Sequence, residues 1–134
     1  MIARLLLLAA LLAATPALAL DGNRLRVIDG DTVALGTEHI RLLDIDAPET
    51  AHPRCESELV LGLAAKARLL ELLRGRPVEI VRHGRDRYGR TLARLTVGGR
   101  DVGALLSADG LAIAWRPGHD AWVDRAAHWC GVRP

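Results

Sequence analysis

Two tight turns only five residues apart constrain this chain more than any other feature in it. Residues 24–28 alternate polar and apolar, the period of a half-buried strand. Asp29-Gly30 then offers a two-residue hairpin turn, residues 31–35 resume the strand, and Gly36-Thr37 turns the chain again into 39–45. Strands this short, joined by loops this tight, leave no room for a crossover helix, so they form an antiparallel meander. The third strand ends in an unusual way. Arg41, Asp44, Asp46, Pro48 and Glu49 crowd its exit. Pro48 removes a backbone donor and pushes Ala47 towards an extended conformation, which stops the strand. Arg41 and Asp46 have opposite parity, so a straight strand sends them to opposite faces. If they share a site, the chain bends between them. Carboxylates at a strand exit are held by a rigid scaffold yet open to solvent, which suits a site.

After the loop 51–56, Ser57 is placed to cap a helix, with Glu56 and Glu58 near its positive end. Apolar residues at 59, 63, 69, 70, 72 and 73, with Lys66, Arg68 and Glu71 between them, predict a helix over 59–74 that Gly75 ends. Strands follow at 77–81 and 91–97, joined by the polar loop 82–90. Gly98-Gly99 turns into a second helix at 101–109, and after Pro117-Gly118 a third runs over 119–128. Trp122 and Trp129 share one face of that last helix and read as core anchors. With no Phe in the chain, the rest of the core is aliphatic. The pattern is α+β, mainly β. It suits a five-stranded OB-fold barrel with a helix inserted after strand 3 and two short C-terminal helices. Closing the barrel also removes exposed strand edges.

Residues 1–14 are apolar apart from Arg4, Thr15-Pro16 breaks the run, and Ala17-Leu18-Ala19 matches a small-x-small cleavage site. Residues 1–19 therefore read as a secretory signal peptide, the apolar run being shorter than the ~20 residues of a spanning helix. Residues 20–134 read as a single exported domain, periplasmic or extracellular. Without Arg4 the domain carries 17 basic and 16 acidic side chains, which excludes a polybasic nucleic-acid binder and leaves polyanion binding to local clusters. All the basic residues but Lys66 are arginines, whose planar forks grip phosphate in two places. An even count of cysteines in an exported chain points to a disulfide between Cys55 and Cys130. Two free buried thiols are the other reading.

Asp29 and Asp31 flank Gly30 and point the same way if the segment is extended. With Asp46 they make three carboxylates without matching cysteine or histidine, and such hard oxygen donors favour calcium or magnesium over zinc. Asp-Gly-Asp alone reads equally as a turn. The loop 82–90 gathers Arg82, Arg85, Arg87 and Arg90 around Tyr88, and alone reads as a solvated face. Together these groups supply carboxylates for a cation, arginines for phosphate oxygens and a spare carboxylate, Glu49, for water. Metal-assisted phosphodiester hydrolysis needs those parts.

Three motifs follow in order: Asp29-Gly30-Asp31-Thr32; then Arg41-Leu42-Leu43, Asp46 and Pro48-Glu49-Thr50; then Asp86, Tyr88-Gly89-Arg90. In that order and spacing the chain resembles the staphylococcal nuclease (thermonuclease) family from about residue 24 to 112. The resemblance implies an OB-fold and calcium-dependent cleavage of DNA and RNA. It implies that Asp31 and Asp46 hold one Ca2+, with the backbone carbonyl of Ala47, and with Asp29 in reach through water. It assigns Glu49 as general base, Arg41 and Arg90 as clamps on the scissile phosphate, and Arg87 and Tyr88 as contacts to a neighbouring phosphate. The products would carry a 3′-phosphate, and the enzyme would act as a monomer away from the membrane. Asp44 departs from the family, which is apolar or small there. The alternative is an inactive OB module that binds nucleic acid or a protein partner.

Overall fold

The computed structural model describes residues 18–131, so the expected signal peptide lies outside the described residues but for its last two. Strand β1 (Leu20–Asp21) and a 3-10 turn (Gly22–Arg24) lead into β2 (Leu25–Asp29), β3 (Thr32–Leu35) and β4 (Glu38–Leu42). These three form the expected antiparallel meander, with Val27 opposite Val33 and Val33 opposite Ile40. The predicted third strand, 39–45, is in fact two. It stops at Leu42, turns through Leu43-Asp44, and resumes as β5 (Ile45–Asp46). Asp44 has φ 63°, a left-handed conformation that few residues besides Asn and Asp adopt readily. This is the bend that the parity of Arg41 and Asp46 requires. The Asp44 side chain pairs with Arg94, while its carbonyl accepts from the Trp115 amide at 2.9 Å.

Helix α1 (Glu56–Leu73) begins earlier than predicted and is capped by the Cys55 sulfur, which accepts from the Glu58 amide at 3.3 Å, not by Ser57. Its buried stripe runs Gly62, Ala65, Leu69, Leu72 and Leu73, the spacing of one helical face. Strand β6 (Pro77–Arg85) runs four residues past its predicted end because a bulge after Arg82 keeps it paired to β7 (Thr91–Val97). Along β7, Thr91, Ala93, Leu95 and Val97 are buried, the period of a strand with one inward face. Strand β8 (Arg100–Asp101), α2 (Val102–Ala108), β9 (Ile113–Ala114) and α3 (His119–Cys130) complete the chain.

The main sheet runs β1-β6-β7-β4-β3-β2, with β8 on β7, and β5-β9 forms a second small sheet. The five long strands are the five predicted, curled as a half-barrel with OB-type order, β4 and β7 being parallel. Among the described residues the strand path begins at β1 and ends at β2, and helix α1 packs against β2. The core is aliphatic, with Val33, Ile40, Leu69, Val78, Val102 and Leu106 fully buried. Of the two tryptophans only Trp129 is a core anchor. Trp122 is 44% exposed, with Arg54 over its ring and His119 stacked on it.

Cys55 and Cys130 form a disulfide with Cα atoms 5.9 Å apart. It ties the start of α1 to the end of α3 across a sequence separation of 75. Closing a loop of that size stabilises the folded chain by about 4 kcal/mol through lost unfolded-state entropy. Replacing both cysteines by serine is therefore expected to lower the unfolding free energy by about that amount, measured by urea denaturation. A change near zero would show that α3 docks without the covalent tie.

Candidate active site

The site lies where the β2–β3 turn, the end of β4 and the segment after β5 meet on α1. Two small residues of α1 allow the approach. A Cβ on Gly62 would fall 2.9 Å from the carbonyl oxygens of Pro48 and Glu49, and one on Gly30 would fall 2.6 Å from the Ala65 Cβ and 2.8 Å from the Ala47 Cβ. Both turns that carry carboxylates are thus seated directly on the helix.

Arg41 is buried at the end of β4, opposite Thr32 on β3 and Leu92 on β7. Its Nη1 donates to the Leu42 carbonyl at 2.6 Å, which fixes the plane of the guanidinium. Its Nη2 lies 3.2 Å from Asp31 Oδ2 and 3.2 Å from Asp46 Oδ1. Asp31 is held further by the Thr32 hydroxyl on Oδ1, at 3.1 Å, and by the Ala47 amide on Oδ2, at 2.9 Å. Asp29 stands behind, its Oδ1 accepting from the Asp31 amide at 3.2 Å. The structure therefore brings together Asp29, Asp31, Arg41, Asp46 and Ala47, with Glu49 close enough to feel the charges of Asp31 and Asp46.

Crowded acids shift one another's protonation. Burial, then the charge of Asp31, push Asp29 up to about 7. Burial raises Asp46, with Asp31 adding and Arg125 and Arg41 opposing. Desolvation by the protein around its carboxyl raises Glu49, with Asp31, Asp46 and Glu58 adding repulsion and Arg54 opposing. Four acids, Asp29, Asp31, Asp46 and Glu49, stand against two guanidinium groups in contact with them, Arg41 and Arg125, so the cluster still favours added positive charge. Among the described residues no three His, Cys, Asp or Glu side chains form a metal-binding group. The donors that do converge, Asp31 and Asp46, are oxygen only. That set fits a hard cation completed by main-chain and water oxygens, and does not fit zinc.

The second arginine group sits one strand away. Arg90 directly precedes Thr91, the partner of Ile40, which is itself next to Arg41. Arg90 Nε donates to Asp86 Oδ2 at 2.7 Å, and Asp86 Oδ1 accepts the amides of Tyr88 and Arg90, so one carboxylate shapes the whole turn. Tyr88 is exposed at its tip, with the guanidinium groups of Arg87 and Arg90 over its ring and Arg87 Nη2 donating to its hydroxyl at 2.7 Å. Asp86 and Arg90 are joined to each other, and no hydrogen bond links Arg87, Tyr88 or Arg90 to the two aspartates among the described contacts.

Sequence reading missed three residues. Glu58, expected only to favour the helix end, is completely buried and accepts from the Glu49 amide, the Arg54 amide and two Arg54 side-chain nitrogens. Burial pushes its carboxyl up, but those hydrogen bonds outweigh it and hold it below the usual range. Glu58 and Arg54 thus fix the backbone of Glu49. Glu58 has the spacing of a capping-box Glu from Cys55, but it accepts from the Glu49 and Arg54 amides, which no local pattern announces. Arg125, on α3, places Nε 2.6 Å from Asp46 Oδ2, and no local pattern announces it.

Asp29 titrates near 7 when folded and near 3.8 when unfolded. Between those values the folded chain keeps a proton that the unfolded chain has lost. The group therefore subtracts stability as pH rises through that window, and by a constant amount above it. Asp29→Asn keeps the acceptor for the Asp31 amide and removes the charge. In chelator, its stability gain over the parent is expected to grow from about pH 4 to about pH 8, reaching ~1 kcal/mol after solvent screening. Thermal melts across pH check this, and a pH-independent difference would count against the raised carboxyl.

A family described as staphylococcal nuclease homologue matches residues 39–127, beginning after the Asp29-Gly30-Asp31 turn and including Arg41, Asp46, Glu49, Arg90 and Arg125. The chain is 33% identical over 108 residues to a micrococcal nuclease of Shigella flexneri, covering 71% of this chain and 58% of the relative. It is 37% identical over 95 residues to a thermonuclease of Staphylococcus intermedius, covering 66% and 56%. It is 35% identical over 123 residues to a protein named ParB of Escherichia coli, covering 81% and 66%. The chain thus spans between 56% and 66% of the length of these relatives. With the half-barrel order of its strands and its match over most of the folded domain, the chain belongs to the staphylococcal nuclease family.

Proposed function

We propose that this chain is an exported, calcium-dependent nuclease that hydrolyses phosphodiester bonds in DNA, RNA or both, leaving 3′-phosphates. The observation that carries the reading is the convergence of Asp31 and Asp46 on one nitrogen of Arg41 at 3.2 Å. Acidic ligands and a phosphate-binding guanidinium stand side by side there, as hydrolysis of a phosphodiester beside a cation requires. The nuclease names of two relatives support it.

Asp31 and Asp46, with the Ala47 carbonyl and with Asp29 through water, would hold Ca2+, which supplies charge stabilisation on a phosphoryl oxygen. Glu49 is the general base. It takes a proton from water as the oxygen attacks phosphorus, and the bond to the 5′-oxygen breaks with that oxygen taking up a proton from solvent water to leave as a hydroxyl. Its raised carboxyl suits the task, because a base is most effective when its pKa approaches the working pH. The Glu58–Arg54 pair keeps its backbone still while that happens. Arg41 and Arg90 bind the phosphate oxygens where charge grows in the transition state, and Arg87 and Tyr88 bind a neighbouring phosphate. The disulfide between Cys55 and Cys130 supports an oxidising, periplasmic or extracellular location, and a monomer suffices for the site.

Glu49→Gln is expected to lower turnover by ~10²-fold or more with KM little changed, read from steady-state cleavage of a labelled oligonucleotide. Near-normal turnover would remove Glu49 from proton transfer. Plasmid DNA incubated with the purified chain and calcium should be cut, and excess EGTA should abolish cutting. Full activity in chelator removes the metal from the reaction. DNA that is retarded and uncut would mark a binding module instead.

A further inference from the structure

Asp46 offers two carboxylate oxygens, and two different elements occupy them. Oδ1 lies against Arg41 on the sheet, and Oδ2 lies 2.6 Å from Arg125 Nε on α3. We propose that Arg125 is a resident counter-ion of the cation site, which holds Asp46 until a divalent cation displaces it and so sets how tightly that cation binds. The inference rests on the reading of Asp46 as a cation ligand.

Three observations carry it. The contact is short and mostly shielded, the Arg125 and Asp46 side chains being 20% and 14% exposed, so the attraction is little screened by solvent. The helix that carries Arg125 is also held in place, so the guanidinium is presented to Asp46 from a fixed base. Helix α3 is fastened to the start of α1 by the disulfide and to the loop before it by Arg54 Nη1 on the Trp122 carbonyl at 3.1 Å, while Arg125 Nη1 itself makes one longer bond, to the Arg116 carbonyl at 3.2 Å. Finally, the guanidinium has somewhere to go. A cavity of about 300 Å³ between β9 and α3 is lined by Arg116, Asp124, Arg125 and His128. Arg41 does not fit this role as well. It is buried in β4, fixed by the Leu42 carbonyl, and shared between both aspartates.

A divalent cation approaching Asp46 meets a positive charge already in contact with the ligand. Expelling that charge or tolerating it weakens binding, so removing it strengthens binding. Isothermal titration calorimetry of Ca2+ into the full, disulfide-bonded chain tests this with the parent, Arg125→Gln and Asp46→Asn. Arg125→Gln is expected to bind Ca2+ about tenfold more tightly, and Asp46→Asn to lose binding. If the parent binds and Arg125→Gln binds equally or more weakly, the counter-ion role is overturned and the cation site stands. If the parent takes up no Ca2+, the cation reading fails and this inference goes with it. A second measurement needs no variant. The Arg125 Nε–H resonance of the parent should move on saturation with Ca2+, and a fixed resonance in the saturated protein would overturn the displacement.

Discussion

The guanidinium of Arg41 bridges two carboxylates that the chain delivers from different turns. Without it, Asp31 and Asp46 would face each other half-buried, with little water to screen them. Removing one partner of such a cluster leaves uncompensated charge in a poor solvent, which is far worse than never assembling it. The bridge also explains the chain's most unusual backbone. Arg41 on β4 and Asp46 on β5 reach one another only because Asp44 turns through a left-handed conformation between them. The Arg94 ion pair and the Trp115 amide hold Asp44 in that turn.

A second layer of constraint comes from α1. Gly62 and Ala65 let the Pro48–Glu49 backbone and the Gly30 turn approach within contact distance. One helix therefore sets the relative position of both acidic segments. Glu58, one turn before Gly62 on the same helix, collects amides from the loop that carries Glu49. A buried carboxylate without partners would be costly, but this one is saturated by Arg54 and two amides, so it rigidifies the loop. Helix α3 closes the arrangement from the other side, attached by the disulfide, by Arg54 on the Trp122 carbonyl and by Arg125 on Asp46.

Local physics made much of this visible beforehand. Gly and Asp turn chemistry marked the meander, the strand expected over 91–97 has those bounds, and the parity of Arg41 and Asp46 required a bend if the two were to share a site. The motifs around Asp31, Asp46, Glu49 and Arg90 carried the family resemblance. The errors have physical reasons as well. Trp122 and Trp129 share a helical face, but the buried positions of α3 are Ala121, Ala126 and Trp129, and Trp122 falls beside that stripe, under Arg54 and against His119. The β6 strand outran its apolar run because pairing to β7 through a bulge, and not hydrophobicity, extends it.

The sequence by itself determined the three helices and the five long strands, and which side chains are fit for cation and phosphate chemistry. These follow from period, turn residues and functional groups, which are local properties. Tertiary structure alone decided that Arg41 stands between the two aspartates, that Glu58 is buried beneath Glu49, and that Arg125 occupies the outer oxygen of Asp46. Each of these is a contact between groups brought together by packing, and its strength depends on burial and dielectric. Neither quantity exists until the chain has folded.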